Sequence, residues 1–406
     1  MSGHSLSMKP RSDAGAPCIL VSYGGLHAFV LAIIAFGLFI NAARANGMAR
    51  SIKLALPNHQ RPISIQVKKA RRWDRLLERS SGFIGSDCGY TIKIGHERTL
   101  WLFGDSFIGQ VKGHQRVNAQ MVHNSIAVLE GKQPDESRFH FYWGRQNGVN
   151  TPYIVPKESD LAYWFEDGAV VHRKLWLFLS QIAYLPTGGL FGFKMNGTAL
   201  ADADISSSDP HRWKFQTVPF PFYDNSGSDD EWFGAAVLSQ GRYLYIYGLR
   251  QESAAPPMKR GLLVARVPAD RIADFSRWRF WANGKWVANQ HRAEASGSDL
   301  GAEMSVSFQP ELGCYLLVYS PSDLAPVIRI RTAPEPYGPW SKAVTVYTCP
   351  EGKIPTVLCY AAKGHPELSN RNDLLISYAT NSTDFEKVLH DSRLYDLRFI
   401  RLIFKK

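Results

Sequence analysis

Five short apolar runs recur along this 406-residue chain, and their spacing constrains the fold more than any other feature. Leu100-Trp101-Leu102-Phe103-Gly104-Asp105 is followed by Leu175-Trp176-Leu177-Phe178-Leu179-Ser180. Tyr243-Leu244-Tyr245-Ile246-Tyr247-Gly248, Tyr315-Leu316-Leu317-Val318-Tyr319-Ser320 and Leu374-Leu375-Ile376-Ser377-Tyr378-Ala379 complete the set. The copies start 75, 68, 72 and 59 residues apart. A unit of that length cannot bury its own faces and must stack on its neighbours. Several runs read as the second strand of a hairpin: AVVHRKLWLF, AAVLSQGRYLYIY and SVSFQPELGCYLLVY. Their aromatic and β-branched residues, bounded by Gly, Pro, Asn and Asp, argue strands rather than helices. Each unit has room for a four-stranded sheet. The expected fold is therefore all-β, a five-bladed β-propeller over residues 81–406. A β-sandwich fits five evenly spaced copies less well. Residues 185–230 and 250–300 read as inserted loops that wall a cleft.

An acid precedes the first strand of each hairpin: Asp87, Glu166-Asp167, Glu231, Glu303 and Glu367. Innermost propeller strands start near the central channel, so these acids are expected to line one funnel. The first hairpin, GSDCGYTIKIGHERTLWLFGDSFIG (85–109), carries a second acid, Asp105. Folding at His96 sets Asp87 opposite Asp105, with Cβ atoms roughly 5 Å apart. A slip of one residue would put them on opposite faces. The other copies hold Ser180, Gly248, Ser320 and Ala379 at the position of Asp105, so a blade does not require an acid there. Two close carboxylates repel, one pKa rises, and the pair can divide acid and base roles. Capping of turns at the strand ends is the structural alternative for both.

Composition enters through charge and cysteine. The formal net charge is +11, which favours an acidic partner such as a polyanionic polysaccharide or a membrane surface. Residues 46–80 hold nine Lys and Arg against Asp74 and Glu78, leaving the body near neutral, which excludes a nucleic-acid groove. This stretch reads as a basic linker with a short amphipathic segment, Lys68–Arg79, whose Trp73, Leu76 and Leu77 face inward. Residues 1–45 read as an export signal: Lys9 and Arg11, then the apolar run Ala28–Ile40, then Ala43-Arg44-Ala45 as cleavage site. The alternative is an uncleaved anchor over residues 18–40. The protein is thus expected to be secreted or periplasmic, or held at a membrane by that segment alone. Beyond Cys18 there are four cysteines, and Cys349 and Cys359 bracket a short Pro/Gly loop as the expected disulfide. No spacing suggests zinc, and no cofactor is expected, although the acids could instead hold a structural Ca²⁺.

GSDCGYTIKI…RTLWLFGDSFIG, MVHNSIAV, WFEDGAVV…KLWLF and GHPELS…LLISYATNS…LYDLRFIRL resemble a bacterial five-bladed propeller family long catalogued as a domain of unknown function. Some of its members are endo-D-arabinanases. The resemblance covers residues 73–406 and implies a glycoside hydrolase whose acids sit at the axial end of the propeller. It places a catalytic role on Asp87 and Asp105, which match the family's hairpin acids.

Glycoside hydrolysis needs one protonated carboxyl and one carboxylate that acts as nucleophile or base. Asp105 is read as the carboxylate, and Asp87, Glu166 or Glu303 as the acid. His123 and Asn124 in MVHNSIAV are read as sugar contacts, with Trp164 and Trp232 as platforms beside the funnel acids Asp167 and Glu231. His365 is read as an inward group that contacts substrate or a central water or ion, a structural His being the alternative. Two other readings stay open: a propeller that binds glycans without cleaving them, and a GDSL-type esterase built on Gly104-Asp105-Ser106. The esterase lacks its Asp-x-x-His partner and its alternating helices.

Overall fold

The computed structural model describes residues 51–54, 56, 62–158, 160–185, 192–252 and 258–405. The signal or anchor segment therefore lies outside the described residues. Among those residues no helix is long and apolar enough to cross a membrane.

Two strands, β1 (Ser51–Leu54) and β2 (Ile63–Lys69), and a short helix, α1 (Arg71–Leu77), open the described chain. Blade I follows with β3 (Ser81–Gly95) and β4 (Arg98–Lys112). Then come β5 (Gln115–Val122), which pairs the far end of β4, and β6 (Ser125–Glu130) and β7 (Arg138–Tyr142). A small hairpin, β8 (Gly144–Gln146) and β9 (Val149–Thr151), leads to blade II. Blade II is β10 (Leu161–Val171), β11 (Lys174–Tyr184), β12 (Phe193–Asp204) and β13 (Gln216–Pro219). Blade III is β14 (Asp230–Gln240), β15 (Tyr243–Gln251), β16 (Arg260–Pro268), β17 (Arg279–Ala282) and β18 (Lys285–Val287). Blade IV is β19 (Leu300–Gln309), β20 (Cys314–Pro321), β21 (Val327–Ala333) and β22 (Val344–Thr348). Blade V takes β23 (Val357–His365) and β24 (Asp373–Ser382), then α2 (Phe385–His390) and β25 (Asp396–Lys405).

The sheet order of blade V is β1-β2-β25-β24-β23. Strands from early and late in the described chain thus share one sheet: β2 runs antiparallel to β25, from Ser64 opposite Lys405 to Lys69 opposite Ile400. The inner strands β3, β10, β14, β19 and β23 touch in turn, and β23 closes on β3. This is a five-bladed β-propeller, with each repeat run in the second strand of a blade.

Those runs are apolar on both faces over most of their length because both faces of each blade are covered. Leu100 and Leu102 pack with Leu175, Leu177 and Leu179 between blades I and II. Trp101 and Phe103, pointing the other way, pack with Leu375 and Phe399 between blades I and V. A comparable core fills each of the other three blade junctions.

Three expectations change. The described residues within 51–77 do not form a linker: two strands complete blade V, and Trp73 and Leu77 of α1 are buried in the junction core. Asp74 accepts the Phe399 N–H at 2.8 Å, which pins α1 to β25. The stretches read as loops within 185–230 and 250–300 carry the outer strands β12, β13, β16 and β17. Cys349 and Cys359 lie in one apolar core as free, buried thiols. Contact with Cys359 and burial both push the Cys349 thiol up, so it packs as a small apolar group rather than as a thiolate.

Candidate active site at the mouth of the central channel

A cavity of ≈ 210 Å³ runs along the axis, lined by all five inner strands through residues such as Thr91, Asp167, Val237, Ser305 and Lys363. On β3, β14 and β19 the acids Asp87, Glu231 and Glu303 lie N-terminal to the lining residues, whereas Asp167 of β10 lines the cavity itself. Each inner strand is bulged ahead of or beside its lining residues, which breaks the strict alternation of side chains.

In blade I the pairing predicted about His96 holds from Lys93↔Thr99 to Tyr90↔Leu102. Gly89, at φ +88°, then adds one residue to β3. Between Cys88↔Phe103 and Ser86↔Ser106, Asp87 faces two residues, Gly104 and Asp105. The Asp87 carboxylate lies directly over Gly104: a Cβ built there would stand 2.4 Å from Oδ1. Its Oδ2 accepts the Tyr360 hydroxyl of β23 at 2.8 Å. Burial first, then the charges of Asp105 and Glu303, push its pKa up to about 8 against the pull of Tyr360 and Lys363.

Asp105 has a different environment. Its Oδ1 meets the Trp164 indole Nε1 at 3.1 Å and the His123 Nδ1 at 3.1 Å. An indole N–H can only donate, so that oxygen acts as an acceptor. Tyr184, 43% exposed, holds its hydroxyl 2.9 Å from the same His123 nitrogen. Trp164 packs edge-on to Phe193, forming an aromatic wall from blade II beside Asp105.

Glu166 and Glu303 complete the acid ring. Glu166 is buried, accepts from Ser180 at 2.7 Å and lies 3.3 Å from the Tyr90 hydroxyl. Burial, opposed by Ser180 and reinforced by Glu303, raises it to about 7. Glu303 forms an ion pair with Lys363.

Other residues expected in the site are elsewhere. Asn124 is fully buried and binds the Ile154 and Tyr163 carbonyls and the Ile154 N–H, which fixes the 152–163 segment. Glu231 pairs with Arg250, away from the channel. Trp232 is core between blades III and IV. Asp167 lines the axial cavity but accepts the Gly168 and Val237 N–H groups, clamping blade II to blade III. His365 is fully buried between Thr91 and Ser377. Glu367 follows β23 rather than preceding it, in a short 3-10 turn. Ser106 is fully buried and bonded to Gly104 O and Ser125, so no esterase nucleophile is available there. Among the described residues no group of three or more His, Cys, Asp or Glu is placed to hold a metal ion.

Tyr90, Tyr184, Tyr360 and Lys363 were not expected. The only sequence signal for the last two is a lysine in an apolar strand, LCYAAKGH.

No curated protein sequence matches the chain. Among solved structures, a candidate hydrolase from Bacteroides ovatus ATCC 8483 is 19% identical, with a TM-score of 0.67 over 88% of this chain and 97% of that one. That likeness shows the fold. A family-43 glycoside hydrolase from Xanthomonas citri, complexed with xylotriose, is 15% identical, with a TM-score of 0.43 over 81% of this chain and 92% of that one. A protein of unknown function from Dyadobacter fermentans DSM 18053 is 10% identical, with a TM-score of 0.42 over 84% and 99%. In sequence, residues 70–403 match the family described as a domain of unknown function (DUF5005), and the chain belongs to that family.

Proposed function

We propose that the protein is an exported glycoside hydrolase that cleaves a polysaccharide, arabinan-like in its sugar, with Asp87 as acid and Asp105 as nucleophile or base. One observation carries this reading: two carboxyl groups meet across a single bulge in opposite environments. Asp87 is desolvated among acids and keeps its proton to about pH 8. Asp105 receives the Trp164 indole N–H, lies 3.1 Å from His123 Nδ1 and stands beside open aromatic surface. Such a division is what hydrolysis of a glycosidic bond requires.

In the proposed reaction Asp87 gives its proton to the departing glycosidic oxygen as the C–O bond breaks. Asp105 either attacks the anomeric carbon or takes a proton from the water that does. Trp164 and Tyr184 offer flat faces for a sugar ring. Four acids against one paired lysine favour an uncharged sugar at the cleaved bond. The seven described basic residues of 46–80 do not line the axial cavity.

The test is reducing-end release from a panel of cell-wall polysaccharides that includes D-arabinan. Wild-type protein is expected to act, and Asp105→Asn to lose about 10²–10⁴-fold or more while keeping its thermal unfolding curve. An Asp105→Asn protein of full activity would remove the assignment. Binding without release across the panel would favour the non-catalytic propeller.

A further inference from the structure

Lys363 stands at the floor of the candidate site. The Ala361–Ala362 bulge, with Ala361 at φ +57°, turns it into the channel. Its side chain is 1% exposed. The ammonium pairs with Glu303, donates to Ala361 O at 3.1 Å and lies 4.3 Å above the Tyr90 ring. Among the described residues no other Lys or Arg forms an ion pair with Asp87, Asp105, Glu166 or Glu303. A buried ammonium is tolerated only where opposite charge and hydrogen bonds replace its water.

We infer that Glu303 and Lys363 act as a fixed ion pair that decides which carboxyl of the ring carries the transferable proton, and that neither touches the sugar. The inference rests on the glycosidase reading and adds two positioning residues to it. Three facts place the pair in that role. Glu303 has its carboxylate oxygen bound to the ammonium, so it is occupied as an acceptor. Lys363 lines the axial cavity and holds Glu303 against it as an ion pair. Both act on Asp87 and Glu166 through the same low-dielectric space.

Asp87 is faced by Asp105 from β4, Glu303 from β19, Tyr360 and Lys363 from β23, Tyr184 from β11, and Tyr395 before β25. Of the pair, Glu303 acts on Asp87 more strongly than Lys363 does. Neutralising Glu303 alone removes a repulsive charge and leaves an attractive one, so Asp87 should release its proton at lower pH. Neutralising both removes opposing effects and should move Asp87 less, in the same direction.

The experiment compares wild type, Glu303→Gln and Glu303→Gln/Lys363→Met. It follows kcat/KM for reducing-end release against pH, and the carboxyl titration of ¹³C-labelled aspartate by NMR. The expected result for Glu303→Gln is an alkaline limb moved down by about one pH unit, with activity at pH 5 within about tenfold of wild type. The double variant should fall between the two and unfold at higher temperature than Glu303→Gln, since no buried charge is left unpaired. A uniform loss of about 10²–10⁴-fold at every pH, with the Asp87 titration unmoved, would make Glu303 itself the acid and overturn the inference. Unchanged profiles and titrations would overturn it too. Should wild type release nothing from any glycan, the glycosidase reading fails, while the NMR titration still decides the ion-pair claim.

Discussion

Gly104 is the residue on which the candidate site turns. The Asp87 carboxylate rests on its bare backbone, and no positive φ is needed there. Gly104→Ala is therefore expected to fold, with a loss of about 1–3 kcal/mol, because the atom it strikes is the end of a side chain whose buried hydrogen bond is then broken. It should displace Asp87 from Tyr360 and lower turnover by about 10²-fold, the scale of a 1 Å misplacement of a reacting group. Reducing-end assays beside a thermal melt would check both halves. At this scale the sequence told much. Hairpin symmetry brought Asp87 to Asp105, and the absence of an acid in the other copies singled out Asp105. It could not place Tyr184, Tyr360 or Lys363, because bulges reset which side chains face the channel. Nor could it demote Trp232 or Asn124, whose burial depends on neighbouring strands and loops far from them in sequence.

Elements of the seam between blades I and V depend on one arginine. Arg116 of β5 is buried and donates to the carbonyls of Ile84, Val388, Asp391, Ser392 and Leu394, with Phe107 packed under its guanidinium. It ties the outer part of blade I to the segment between α2 and β25. Arg116→Met should lose about 3 kcal/mol in denaturant unfolding, since buried carbonyls would be left without a charged donor. A loss below about 1 kcal/mol would show that water replaces it. The second strands of all five blades could be read from the sequence because both faces are apolar. β13 is largely exposed and gave no such signal, while β12, β16 and β17, although mostly buried, lie in stretches whose Gly, Pro, Ser and Asp read as loops. β2 was hidden by its charge: Lys68 and Lys69 suggested a linker, while Ile63 and Ile65 did the packing.

Across the whole molecule, buried acids set the pH response. Burial, as the first cause in each case, raises Asp87 and Asp167 to about 8, Glu166 and Glu367 to about 7 and Asp396 to about 6. Each holds a proton in the folded state that the unfolded chain has released above about pH 4. Stability should therefore fall as pH rises from about 4 to 8. His365 acts the other way: burial and then Lys363 lower it to about 3, so its contribution is lost below its unfolded pKa near 6.5. Five groups outweigh one, and the melting temperature at pH 5.5 should exceed that at pH 8.5. A melting temperature that climbs over this range would contradict the protonation states assigned to the channel. None of this was readable from net charge, because a formal count treats every carboxyl as ionised whatever its burial.

Pairing of β2 with β25 has a consequence in time. Blade V is completed by β2, from early in the described chain, pairing with β25, its last strand, and the Tyr360–Asp87 bond then joins that blade to blade I. Contacts so far apart in sequence are slow to form and late to be made. As the chain leaves the ribosome, blades I to IV can stack while Asp87 still lacks its partner. The site comes into being only when the final blade is complete, so partly made or trimmed chains would carry every proposed catalytic carboxyl and still be inert.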